Sequence, residues 1–193
     1  MIRFSSLIPL LFLLAQSGFS SGAALLVIDM QKGLLDATSS IHVQGAMIPG
    51  LLKSANDNIT MAHQKNIPVV YIRNEWANYF ENLFTGNVCK KGSKSAELDS
   101  RLVIADSPIF SKSVGDAFSN KLLCKFIEGS GIDTLYIVGI MAEGCVHATG
   151  KGGMARNLKV IMLQDAIGST SSTKKASMIE TYSKEHMIVK QKL

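Results

Sequence analysis

Apolar positions along this chain switch between two spacings. Unbroken or nearly unbroken runs, ALLVIDMQ (24–31), IPVVYIR (67–73) and LKVIMLQDA (158–166), read as strands. The first has no polar interruption before Asp29, the pattern of a central strand buried on both faces. Leu135, Ile137 and Val138 mark a further strand, Ser107–Phe110 a short one and His186–Val189 the last. Between these runs the spacing becomes helical. After Pro49, the residues Leu51, Leu52, Ala55, Ile59 and Ala62 fall on one face. Further helices are predicted over 121–126 and 172–184, and a segment without a breaker runs from Cys145 to Gly150. Strand and helix alternate throughout, which predicts an α/β fold: a doubly wound, Rossmann-like parallel sheet of about six strands, with right-handed crossovers and helices on both faces. The stretch from Asn74 to Lys94 breaks the pattern and reads as a long irregular connection of the kind that carries function.

The first 22 residues also stand apart. Arg3 precedes the apolar stretch LIPLLFLLA (7–15), and QSGFSSG follows, the three-part pattern of a secretory signal peptide. Residues 23–193 are then the folded domain, and the protein is expected to be exported, to the periplasm or outside the cell. The apolar stretch is too short for a stable anchor, so no membrane span is expected in the mature chain. With 193 residues and 47% hydrophobic content, one domain with a full core can form. The net charge of +5 is mild and its lysines are scattered without interleaved aromatics, which argues against a nucleic-acid partner. Three cysteines, Cys89, Cys124 and Cys145, are too few and too dispersed for a disulfide scaffold.

The candidate chemistry centres on residues 133–157. Cys145 follows a strand and a short loop and opens a helix, where unpaired N–H groups and the helix dipole favour thiolate. Gly139 and Gly144 have phosphate-loop spacing, but the Lys-Ser/Thr that such a loop needs is missing. Cys145 and His147 lack a second pair of ligands at zinc-like spacing, so neither metal nor cofactor is expected. The competing reading of Cys145 alone is a buried core thiol. Asp29 and Lys112 change that balance, because each also lies at the carboxyl end of a predicted strand. In a parallel sheet all three reach the edge where open α/β folds bind ligands. They suit one reaction: Cys145 as nucleophile, Asp29 as general base, and Lys112 as a positive charge beside both. Asn74, Glu75 and Trp76 leave the second strand at the same edge, and Tyr79, Phe80 and Phe84 follow. Asn74, Glu75, Trp76 and Phe80 are therefore assigned to the substrate pocket, with Glu75 favouring a neutral or cationic amide. The aromatics could instead cover the sheet edge or meet another subunit.

At these residues the sequence resembles the isochorismatase-like cysteine hydrolases, among them nicotinamidases, carbamoylsarcosine amidohydrolases and ureidoacrylate-type amidohydrolases. The resemblance rests on ALLVIDMQKG around Asp29, FSKSVGDAFSN around Lys112 and VGIMAEGCVHATGKGGMARN around Cys145. It implies an Asp29–Lys112–Cys145 triad and a thioester-like intermediate in the hydrolysis of a small amide or related C–N bond. It also implies a cis peptide at Ile140–Met141 that aims the Met141 N–H, with that of Cys145, at an oxyanion. Two departures stand out. Ala142-Glu143 replaces the family's common Thr-Asp, and the metal-binding histidines of the nicotinamidase branch are missing after the second strand. The chain is expected to act as a homo-oligomer, a dimer or tetramer, on a small amide-like molecule. A non-catalytic small-molecule binder on the same fold and a thiol redox protein are the alternative readings.

Overall fold

The computed structural model describes residues 22–104 and 106–193. Six strands form one sheet: β1 (Ala23–Ile28), β2 (Val69–Asn74), β3 (Ile109–Lys112), β4 (Thr134–Gly139), β5 (Lys159–Ile167) and β6 (Ile188–Lys190). Their order is β3-β2-β1-β4-β5-β6 and every neighbouring pair is parallel. The helices are α1 (Ile48–Gln64), α2 (Tyr79–Phe84), α3 (Lys121–Gly129), α4 (His147–Met154) and α5 (Ser172–Lys184). The expected doubly wound α/β sheet is thus the observed one. The reversal of strand order on either side of β1 opens its carboxyl end as the switch point of the sheet.

The two-residue period of β1 divides the core. Leu25 and Val27 face the layer that contains α1, where Leu51, Leu52, Ala55, Ile59 and Ala62 pack as one stripe. Ala24, Leu26 and Ile28 face the opposite layer, with Phe118, Leu123, Ile127, Val146 and Tyr182. All six residues of β1 are buried, so burying each large apolar side chain stabilises the centre by about 1.5–3 kcal/mol. Local signals set the helix starts. Pro49 occupies the first turn of α1, and the Asn120 side chain caps α3 by accepting from Leu122 and Leu123 N–H.

Two boundaries at the site edge differ from expectation. The first strand ends at Ile28, and Asp29 leaves it with a φ of 54°, a left-handed conformation uncommon outside glycine. The stretch after β2 is not wholly irregular, because Tyr79–Phe84 forms α2. At the end of β4, Gly139 has a φ of 128°, and a Cβ there would lie 2.1 Å from the Ile28 carbonyl oxygen. Only glycine lets β4 approach β1 this closely just before the chain turns towards Cys145. The segment read as a signal peptide lies outside the described residues except for Gly22. Among the described residues no helix is long and apolar enough to cross a membrane.

Candidate active site

Three strand ends bring the predicted triad together. Lys112 is the last residue of β3, Asp29 follows β1, and Cys145 lies in a widened helical turn, Ala142–Val146, between β4 and α4. The Lys112 Nζ donates to Asp29 Oδ2 at 2.7 Å and contacts the Cys145 sulfur at 3.2 Å. The Lys112 and Asp29 side chains are 0% and 1% exposed, so this ion pair is shielded from water, whereas Cys145 is half-buried. Asp29 Oδ1 is buried and has no hydrogen-bond partner among the described residues, while the carboxyl as a whole lies within hydrogen-bonding and electrostatic reach of the Cys145 thiol. An unpaired buried carboxylate oxygen is costly, and a proton is what it lacks.

Protonation follows from this packing. Burial raises the Asp29 carboxyl above its ordinary range despite the pull of Lys112, making it a stronger base than a surface carboxylate. Burial alone would lower the Lys112 ammonium, but Asp29 and the Cys145 sulfur hold its pKa up, so it keeps its charge. The Cys145 thiol is pushed up to about 12, by burial first and by Asp29 next, against the influence of Lys112. This corrects the expectation of a resting thiolate. The helix start and the ammonium are present, but desolvation and the carboxylate outweigh them. A base must therefore take the thiol proton during reaction, and Asp29 is beside it.

The turn before Cys145 is held by polar contacts from other elements. The Ile140–Met141 peptide is cis, as the family resemblance implies. The Met141 N–H makes no hydrogen bond among the described residues, whereas the Met141 carbonyl accepts from Gly144 and Val146 N–H. Ala142 N–H donates to the Gly168 carbonyl, and its own carbonyl accepts from the Tyr182 hydroxyl at 2.6 Å. Glu143 accepts from the Ser169 hydroxyl at 2.7 Å and the Thr170 hydroxyl at 2.6 Å. The longer acid at this position thus clamps the turn to the segment after β5.

The proposed substrate contacts fare unevenly. Asn74 is 3% exposed and its Oδ1 accepts from Lys112 Nζ at 3.3 Å, so it supports the lysine and does not face a pocket. The reason is register: β2 extends to Asn74, which pairs with Lys112 and turns its side chain inward. Glu75 lines an open cleft of about 420 Å³ with Lys91, Ser113, Val114 and Asn120. Lys112 reaches this cleft but its side chain is closed to solvent, and Cys145 is not among the lining residues. Glu75 is also paired with Arg73 at 3.5 Å, a partner that offsets the charge on which the preference for neutral or cationic amides rested. Trp76 packs half-buried against the α1 side of the core. Phe80 is 66% exposed and is not part of the cleft wall.

Sequence reasoning missed Gln31 and Tyr182, and it marked Glu143 as a departure from the family pattern without finding its partners. Gln31 is fully buried, and its side chain accepts from Asn74 N–H and donates to the Asn74 and Ala96 carbonyls. It fixes the end of β2 from the loop after β1. A glutamine so near a buried strand is the signal that was available, since its amide must find partners. Cys89 is buried on the α1 side, and burial pushes its thiol to about 12.

The fold and the shared strand edge define an α/β enzyme-type site, and comparison with known proteins names its class. The chain belongs to the isochorismatase domain family, whose model matches residues 23–190. It is 24% identical over 169 residues to the maleamate amidohydrolase of Pseudomonas putida, covering 80% of this chain and 76% of that one. It is 30% identical over 138 residues to a secreted isochorismatase effector of Verticillium dahliae, covering 66% and 70% respectively. The crystal structure of an isochorismatase family protein from Desulfovibrio vulgaris superposes with a TM-score of 0.79 at 21% identity, covering 87% of this chain and 93% of that one.

Proposed function

We propose that this protein is a cysteine-dependent hydrolase of a small, non-peptide amide. The observation that carries the reading is Lys112 Nζ touching both the Asp29 carboxylate and the Cys145 sulfur in a shielded site. Asp29 takes the thiol proton, and the thiolate adds to the amide carbon. The tetrahedral oxygen is then available to the Met141 and Cys145 N–H groups. Protonated Asp29 returns its proton to the nitrogen, the C–N bond breaks, and ammonia or an amine leaves a thioester on Cys145. Asp29 next takes a proton from water, the hydroxide adds to the thioester, and the C–S bond breaks to release the acid. The thiolate regains the proton. Lys112 stays charged throughout and limits the cost of two anionic groups sharing one buried site.

With Glu75 offset by Arg73 and Lys91 in the adjacent cleft, an amide that carries a carboxylate suits the surface beside the site. The similarity to maleamate amidohydrolase supports that choice. Purified protein supplied with maleamate and with neutral amides should release ammonia, faster from the acid amide, and Cys145→Ser should abolish release because a serine hydroxyl stays protonated beside this base. Ammonia release by Cys145→Ser equal to wild type would sink the assignment. A second reading keeps the site and changes the bond: similarity to the secreted isochorismatase effector favours hydrolysis of isochorismate, which yields no ammonia and is read by loss of that substrate. Export through residues 1–22 and assembly as a dimer or tetramer belong to the same proposal.

A further inference from the structure

The helix α5 contributes no residue to the triad, yet it and the Glu185 that caps its end hold the chain on both sides of Cys145. Three residues before Cys145, the Ala142 carbonyl accepts from the Tyr182 hydroxyl at 2.6 Å. Two residues after it, the His147 Nε2 meets Glu185 Oε2 at 2.6 Å, and the His147 ring lies against Tyr182 with centroids 5.9 Å apart. Tyr182 is fully buried, the only residue of α5 that is. Burial and the neighbouring Glu143 hold its hydroxyl above its ordinary range, so it remains a donor at every working pH. A buried tyrosine with an apolar ring and one committed hydroxyl is more specific than packing requires, since phenylalanine would fill the same space.

We propose that Tyr182 is a positioning residue: by pinning the Ala142 carbonyl it fixes the turn that holds Cys145 shielded against Lys112 and Asp29. The peptide plane after Ala142 leads directly into Glu143 and Gly144, and Gly144 has φ −124° and ψ −111°, outside helical values. A turn with such a break is not fixed by its own helical hydrogen bonds. It needs external anchors, and the Ala142 carbonyl, the Ala142 N–H and the Glu143 carboxylate each have one on another element. Of these, the Tyr182 hydroxyl can be removed by a substitution that changes neither the charge nor the apolar ring.

The inference rests on Cys145 being the nucleophile, so its test includes a readout that needs no substrate. Loosening the turn should admit water to the thiol and separate it from its partners. Non-specific alkylation then rises while catalysis falls. In Tyr182→Phe, Cys145 modification by iodoacetamide at pH 8, followed by peptide mass mapping, should be about tenfold faster than in wild type, and kcat about tenfold lower at similar KM, on the scale of one buried hydrogen bond. Tyr71→Phe is the matched control. Tyr71 is fully buried and donates to the Val103 carbonyl at 2.5 Å, away from the turn, so its loss should lower Tm comparably and leave alkylation of Cys145 unchanged. If Tyr182→Phe lowers Tm with the alkylation rate unmoved, the hydroxyl is merely structural and the proposal is overturned. Faster alkylation in a protein with no amide turnover would uphold the positioning role and refute the hydrolase reading instead.

Discussion

Glu143 shows how a single side chain can be read for its pH behaviour. Burial alone would raise its pKa, but hydrogen bonds from Thr170, from its own N–H and from Ser169 hold the carboxyl below the ordinary glutamate range. A depressed folded-state pKa means the clamp stabilises fully above the unfolded value, about 4.3, and is lost as pH falls through the folded one. Wild type should therefore lose stability more steeply than Glu143→Gln as pH falls below the unfolded value, a difference kept modest by the carboxylate's partial exposure to solvent and read from urea midpoints at each pH. Parallel curves for the two proteins would show that the carboxylate does not anchor the turn. The residues of the proposed triad were legible because each chemistry-bearing type stands where a strand stops. Gln31, Tyr182 and the partners of Glu143 were not, because those contacts run to main-chain and hydroxyl atoms of elements far along the chain. Asn74 was misread for a smaller reason: one more residue of β2 turned it from the pocket to the lysine.

At the scale of elements, strands and long helices were legible because each buries a continuous run or stripe. Helix α5 was placed at its observed bounds, and α1 begins one residue before the proline that marks its first turn. The short helix α2 gave no such signal, because its apolar residues face outward. Tyr79, Phe80, Leu83 and Phe84 are 74%, 66%, 63% and 83% exposed, a contiguous apolar surface on a six-residue helix. Monomers seldom leave such patches uncovered, and in the proposed homo-oligomer a second copy covers this one. Sedimentation velocity at about 10 μM should show a dimer or larger species for wild type and a monomer for Phe80→Ser/Phe84→Ser, with Tm nearly unchanged because neither side chain packs in the core. A wild-type monomer would remove the argument for assembly through α2.

For the whole molecule, the start of the fold bears on the proposed export. Ser21-Gly22-Ala23 and Ala15-Gln16-Ser17 are both small-residue exits from the apolar leader, and sequence alone does not choose between them. The sheet does. Ala23 begins β1 and pairs with Thr134 of β4, and the Gly22 carbonyl accepts from Asp133 N–H at 2.7 Å and Thr134 N–H at 3.0 Å. Cleavage before Ala24 would remove both contacts and the first residue of the central strand, whereas cleavage before Gly18 leaves them intact. Each backbone hydrogen bond is worth roughly 0.5–1.5 kcal/mol, a sizeable share of a marginal stability. When the full chain is expressed in a secreting host, N-terminal sequencing of the exported protein should therefore find Gly18, and a protein engineered to begin at Ala24 should melt several degrees lower. Export with Met1 still in place would exclude cleavage, retention in the cytosol would exclude export, and a natural terminus at Ala24 would show that the edge contacts of β1 do not set the boundary.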